Sequence, residues 1–325
     1  MLQQTQVEQV IDYFNSFISR YPTVQSLANA SPDDVMKSWE GLGYYTRAQN
    51  LHKTARLIRD NFNGSMPADE KILKELPGLG KYTIHALLSI AFDQPYAVVD
   101  GNILRVITRL FAIKKDIRLS LTRNIVQQKM NRLLSKTNPG MFNEAMMELG
   151  ATLCIPNKPL CAQCPLITFC KSKKQNLQNN IPYKSPSPIK PNYSGFTFIL
   201  CHENKICIGQ RPSKGLLGGL WEFPTLTEKN VQNNDQLIKR NYLSEIIDIK
   251  TVRTKIKLKA VNHSYTHFNI SIQPFLVYTN EQPVKTEQYN RISWVSFNSL
   301  SKYAMHRAMH KIVATNQSDL KIISP

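Results

Sequence analysis

The sequence predicts two domains of different class, an all-α domain followed by an α+β domain, and three observations carry that reading. Apolar residues recur at helical spacing up to about residue 170, as in Ile103, Val106, Ile107, Leu110 and Phe111. The run IPYKSPSPIKPNY at 181–193 then holds four prolines and no sustained period, which reads as an extended linker. Beyond it, β-branched and aromatic residues gather into short runs bounded by turn residues. The boundaries that follow are 1–183, a linker at 184–193, and 194–325. A chain of 325 residues is long enough for two cores.

Within the first domain, Gly, Pro and Asn stretches such as PTVQSLANASPDD, NFNGSMPADE and TNPGMFNE separate the helical segments. In the second, GFTFILCHENKICIGQR reads as a hairpin about a turn at His202–Lys205. TKIKLKAVNHSYTHFNISIQPFLVY offers two or three further strands. Helices are expected over Asp235–Ile246 and Ser299–Ala314. No internal repeat is visible.

Charge narrows the class of partner. Lys and Arg number 41 against 23 Asp and Glu, a net +18. Each basic side chain that meets a phosphate releases a condensed counterion, so a polyanion is favoured, with solubility as the plainer explanation. No apolar run approaches the roughly 20 residues that span a bilayer. The opening MLQQTQVEQV has neither a basic nor an apolar signal-peptide region, and a membrane partner is not expected. Four of the six cysteines crowd into Cys154–Cys170. Clustering of that kind points to a metal site in a reducing compartment rather than to a disulfide framework.

Three motifs carry chemistry. In Leu76-Pro77-Gly78-Leu79-Gly80-Lys81-Tyr82-Thr83, two glycines sit between a short helical stretch and an apolar helical one. Gly78 and Gly80 allow a tight hairpin whose amides, with the next helix N-terminus and Lys81, suit a DNA phosphate. A plain helix–turn–helix connection is the structural alternative. Next, Asp100 in Val98-Val99-Asp100-Gly101-Asn102 precedes a helix, where it can cap the N-terminus and stay ionised. An ionised carboxylate beside a sugar is what an oxocarbenium-like transition state needs. Last, Cys154, Cys161, Cys164 and Cys170 follow a 6-2-5 spacing with only one Cys-x2-Cys knuckle. That spacing favours an iron–sulfur cluster over zinc. Lys158 inside the loop, and Lys171, Lys173 and Lys174 after it, can bring positive charge toward a phosphate backbone or form a solvated face.

The order of hairpin, aspartate and cysteine loop resembles the endonuclease III/MutY superfamily. MLQQTQV, WEGLGYYTRAQNLHK, VVDGN and FNEAMMELGATLC resemble MutY adenine DNA glycosylases, closely over 1–183 and more loosely over 194–325. The resemblance implies a helix–hairpin–helix glycosylase domain with a [4Fe–4S] cluster, followed by a Nudix-like domain that reads 8-oxoguanine. It implies monofunctional hydrolysis of the N-glycosidic bond of adenine opposite 8-oxoguanine or guanine in duplex DNA. A monomer in the cytoplasm, associated with the nucleoid, is expected. Asp100 would stabilise the oxocarbenium ion and Asn102 would position the site. Gln4, Leu42 and Tyr44 would wedge into the base stack near the flipped adenine. Tyr82 stands where bifunctional relatives carry a lysine, and a phenol forms no imine.

The second domain lacks the paired acids of a catalytic Nudix helix, so recognition rather than pyrophosphohydrolysis is expected. The family's Phe-Ser-His loop corresponds to Tyr265-Thr266-His267, which keeps an aromatic face and a hydroxyl. The family's general-acid glutamate falls upstream of Met1, and Glu8 lies too far along the helix to replace it. The expectation is that the 325-residue chain binds damaged DNA and excises adenine very slowly. A non-catalytic damage binder and a glycosylase/lyase are the rival readings.

Overall fold

The computed structural model describes residues 1–3, 5–186, 188–229, 252–282 and 288–320. Gln4 and the helix expected over Asp235–Ile246 lie outside the described residues. By proximity the chain forms two compact units. One is Met1–Asp60 together with Ile189–Pro325, and the other is Asn61–Pro188. The first helices therefore group with the residues after the linker rather than with the helices that follow them in sequence.

The first unit opens with α1 (Val7–Arg20), α2 (Val24–Asn29), α3 (Pro32–Ser38) and α4 (Thr46–Asn61), of which α2 and α3 start on local capping signals. Thr23 and Ser26 close a capping box on α2, and Ser31 caps α3 ahead of a proline in its first turn. Their core of Val10, Phe17, Met36, Trp39, Leu42 and Ala48 takes in Leu220 and Ala304 from beyond the linker.

The second unit is helical throughout. It holds α5 (Glu70–Glu75), α6 (Lys81–Phe92), α7 (Gly101–Leu110), α8 (Ser120–Leu133), α9 (Pro139–Thr152) and α10 (Lys171–Lys174). Ile103, Val106 and Ile107 of α7, Val126 and Met130 of α8 and Met146 of α9 make its core. Two glycines let α9 approach its neighbours. A Cβ on Gly140 would stand 2.6 Å from the carbonyl oxygen of Ser89, and one on Gly150 would stand 2.6 Å from Cβ of Asn102.

The sheet belongs to the first unit. Its strands are β1 (Asn192–His202), β2 (Lys205–Gln210), β3 (Trp221–Glu222), β4 (Thr225–Lys229), β5 (Val252–Lys257), β6 (Val261–Ser264), β7 (Asn269–Thr279) and β8 (Arg291–Ser296). The order β3-β2-β1-β7-β5 forms the main path, with β4 on β1, β6 on β7 and β8 on β2. β1 and β7 pair in parallel, and the other pairings are antiparallel. The expected hairpin is present, with His202 opposite Lys205. The stretch expected to give two or three strands gives three, β5, β6 and β7. β1 is apolar on both faces. Ile199 and Cys201 join one core, while Phe196, Phe198 and Leu200 join another.

The expected helix over Ser299–Ala314 is broken in two. A 3-10 turn at Phe297–Lys302 precedes α11 (Arg307–Thr315), and α12 (Gln317–Leu320) follows. Between the turn and α11 the chain runs extended beside β3, where Trp221 N–H donates to the Ala304 carbonyl at 2.8 Å. Pairing with that strand overrides the local helical preference. Among the described residues no helix is long and apolar enough to cross a membrane.

Candidate functional site

The glycine hairpin of the second unit joins two helices as expected. Asp69 caps α5 by accepting from the amides of Lys71 and Ile72. Gly78 has a φ of +80°, a conformation that costs a side-chain-bearing residue. Gly80 has ordinary φ and is the N-cap of α6, whose first turn no side chain caps. Gly78, Gly80 and Lys81 are all exposed, so no described residue covers this helix start.

Asp100 caps α7, accepting from the Ile103 amide at 2.6 Å. Tyr82, 37% exposed on the first turn of α6, is near enough for the Asp100 charge to matter. Burial, and after it that charge, raises the Tyr82 phenol above its ordinary value, so it stays neutral at physiological pH. Three further side chains, absent from the sequence reading, hold this corner. Asn143 accepts from the Val98 amide at 3.1 Å and donates to Ser89 Oγ and the Tyr96 carbonyl, both at 2.9 Å. It fixes the segment that leads to Asp100. Arg105 donates to Asn102 Oδ1 at 2.9 Å, to the Gly150 carbonyl at 2.6 Å and to the Cys154 carbonyl at 2.7 Å. The third, Arg109, is 2% exposed and donates to the carbonyls of Cys154, Ile155, Pro156 and Ile181.

Arg109 thereby shapes the cysteine loop. Cys154, Cys161, Cys164 and Cys170 line one cavity with Arg109 and Lys173. Burial pushes the Cys164 thiol up, and the other three cysteines add to the effect. Arg109 Nη1 also reaches Cys154 Sγ at 3.4 Å. Among the described residues no group of three or more His, Cys, Asp or Glu is already arranged to hold a metal ion. The donor set nevertheless fits an iron–sulfur cluster, since four thiols around one cavity beside the fixed Arg109 guanidinium are what thiolate ligands require. Lys158 is exposed in the loop at a φ of +52°. Cys201 and Cys207 are different. They lie buried in β1 and β2, where burial pushes both thiols up to about 12.

The first unit holds the remaining expected residues. In Gly41-Leu42-Gly43-Tyr44 both glycines and Tyr44 have positive φ. The turn drives Leu42 into the core, 8% exposed, and leaves Tyr44 44% exposed. Of these two, then, only Tyr44 has a side chain free to meet a ligand. The Arg47 guanidinium packs 5.4 Å from its ring centroid.

Tyr265-Thr266-His267 closes the hairpin of β6 and β7, with the Tyr265 amide donating to the Phe268 carbonyl at 2.8 Å. Thr266 and His267 form the exposed tip. Tyr44 OH and Thr266 Oγ1 lie 3.4 Å apart, so this unit brings those two expected residues together. Tyr265 turns inward, its ring 4.4 Å from His263 and 4.8 Å from Phe268.

Beneath the hairpin lies a buried carboxylate that sequence reasoning missed. Glu222, 2% exposed, accepts from Arg211 at 2.8 Å, Tyr289 at 3.0 Å and His306 Nε2 at 3.0 Å. Burial alone raises such a carboxyl. The His306 hydrogen bond, the Arg211 charge and the Tyr289 hydrogen bond outweigh that and leave it below the ordinary glutamate value.

Residues 1–136 match the HhH-GPD superfamily of base excision DNA repair proteins, and residues 196–315 match the NUDIX domain. The order of the two matches bears out the two-domain reading, helical first and Nudix-like second. A glycine hairpin, a capping aspartate and a cysteine loop ahead of a Nudix fold define a base excision repair glycosylase. An adenine DNA glycosylase of Mus musculus is 32% identical over 360 residues, covering 96% of this chain and 69% of that protein. One of Buchnera aphidicola subsp. Schizaphis graminum is 33% identical over 281 residues, covering 85% and 78%. Another, of Buchnera aphidicola subsp. Acyrthosiphon pisum, is 31% identical over 320 residues, covering 96% and 87%. The chain belongs to the adenine DNA glycosylase family.

Proposed function

We propose that the chain hydrolyses the N-glycosidic bond of adenine mispaired with 8-oxoguanine or guanine in duplex DNA, without a lyase step. The neutral Tyr82 phenol beside Asp100 carries this reading. Asp100 is held by its capping bond with its charge at a helix N-terminus, where it stabilises the cationic sugar that forms as adenine leaves. Asn102, tied by Arg105, keeps the start of α7 in place. Tyr82 offers no amine to capture the sugar, so water adds its hydroxyl to the sugar carbon while the departing adenine takes up a proton. The exposed amides at Gly78, Gly80 and Lys81 take a phosphate and anchor the strand without reading its sequence. Tyr44 meets the stack beside the flipped base, and the adjacent Thr266, with His267, meets the opposite 8-oxoguanine.

Cys154, Cys161, Cys164 and Cys170 would hold a [4Fe–4S] cluster, which ties the loop together covalently when bound. Lys158 then presents its charge toward the DNA backbone.

Single-turnover adenine release, with and without borohydride, tests the reaction. Release from adenine opposite 8-oxoguanine, about 10²–10⁴-fold slower in Asp100→Asn and without a trapped adduct, is expected. A trapped adduct, or equal rates in the two proteins, overturns the reading.

A further inference from the structure

A two-residue hairpin tip is a weak place to fix a recognition side chain, because it has few contacts of its own. Here the base of the tip is tied to a buried acid of the sheet domain's core, Glu222. The Tyr265 hydroxyl lies 3.2 Å from His306 Nδ1, and His306 Nε2 lies 3.0 Å from Glu222 Oε2. A carboxylate only accepts, so Nε2 carries the hydrogen, and in the neutral imidazole Nδ1 then accepts from the Tyr265 hydroxyl. Glu222 is held in turn by Arg211 and Tyr289. On the outer side, Lys190 donates to the Tyr265 carbonyl at 3.0 Å. Tyr265 is thus fixed at its hydroxyl, ring and carbonyl, while Thr266 and His267 next to it stay exposed.

We propose that His306 is a positioning residue for 8-oxoguanine discrimination. Held by Glu222, it pins Tyr265 inward and so sets where Thr266 and His267 stand. The proposal rests on reading the hairpin tip as the part that meets 8-oxoguanine. It assigns Tyr265 a different task from its two neighbours: its aromatic ring serves the hairpin rather than the base.

His306 also sits where the extended 303–306 segment turns into α11, and the Met305 amide beside it donates to Glu40 Oε1 at 2.7 Å. His310, one turn on, reaches the same oxygen at 2.9 Å. The segment bearing His306 is therefore clamped on both sides, and the imidazole has a fixed base from which to hold Tyr265.

The test uses the full chain and equilibrium binding to duplexes with adenine opposite 8-oxoguanine, opposite guanine and opposite thymine. Tyr265→Phe removes only the hydroxyl, and His306→Phe removes both ring nitrogens at similar size. Each is expected to lower the preference for 8-oxoguanine over guanine about five-fold, the worth of roughly one hydrogen bond, with affinity for the thymine duplex unchanged. His306→Gln is expected to restore the preference, because its amide donates to Glu222 and accepts from Tyr265. The pair Thr266→Ala and His267→Ala serves as the reference. If that pair lowers the preference while Tyr265→Phe and His306→Phe leave it unchanged, the positioning role is wrong and the reader role stands. If the pair also leaves it unchanged, the reader role falls and the proposal with it. Should His306→Phe fail to fold, Tyr265→Phe decides alone.

Discussion

The two units bury charge in opposite ways. In the helical unit, Arg109 is a cation surrounded by four backbone carbonyls, with no acid among its hydrogen-bond partners. In the sheet-bearing unit, Glu222 is an anion surrounded by side chains, two of them basic. Carbonyl solvation leaves the arginine's charge unneutralised, which suits a loop proposed to present four thiolates to a cluster. Neutralisation by Arg211, with hydrogen bonds from His306 and Tyr289, suits a pivot whose task is to hold a hairpin tip in one place. The difference teaches that a buried charge can either set a local potential or set a position, and its partners tell which.

The largest effect is expected where the carbonyl cage is emptied. Arg109→Met leaves three loop carbonyls and that of Ile181 without their donor, at roughly 1–3 kcal/mol for each that stays dry. A loss of at least about 3 kcal/mol in denaturant unfolding, with reduced iron on purification, is the expected outcome. Arg109→Lys should recover only part of it, since one ammonium cannot span acceptors reached by three nitrogens. Full recovery by lysine would mean that charge alone matters there and would erase half of the contrast.

Glu222→Gln comes next. It leaves Arg211 and His306 facing a neutral amide, a loss of about 2–3 kcal/mol at neutral pH. The folded carboxyl titrates below its ordinary value, so its stabilisation is present above about pH 4.5 and disappears as the pH falls further. The gap between the two proteins should therefore close in acid. A gap that is constant from pH 7 to pH 3 would show that the carboxylate's charge is not what holds the pivot.

Gly150→Ala tests the packing that carries the loop's influence to α7. The added methyl meets Asn102 at 2.6 Å, so overpacking of about 1–3 kcal/mol is expected. Adenine release should slow as well, because Asn102 must move. Unchanged release would separate Asn102 from the site. The smallest effect belongs to the exposed cation at the hairpin. Lys81→Ala should leave stability unaltered and lower the salt slope of DNA binding by about 1, equally for damaged and undamaged duplex. A change in preference between the two would assign Lys81 a discriminating role.

Much of this protein was legible in the residues themselves, because the relevant physics is local. Asp100 before an apolar helical period is a cap in sequence and a cap in the fold. Gly78 announces a left-handed turn, and the structure uses it so. The hairpin about His202–Lys205 follows from two apolar runs and a polar turn. Crowded cysteines announce a shared site, and they line one cavity.

Tertiary structure decided the rest. Arg109 sits in a helix with nothing in its neighbours to mark it as internal, and only carbonyls 45 and 72 residues away make it so. Leu42 and Tyr44 are near neighbours in one turn, and their opposite burial follows from three positive φ angles rather than from their composition. The Ser299–Ala314 stretch has helical character, yet pairing beside Trp221 breaks it. Tyr265 reads as one of three equivalent loop residues until His306, 41 positions on, takes its hydroxyl. Caps and turns depend on a few adjacent residues, so the sequence by itself determined them. Burial, and the choice of partner for a buried charge, depend on which distant segments arrive, and only the folded chain contains that information.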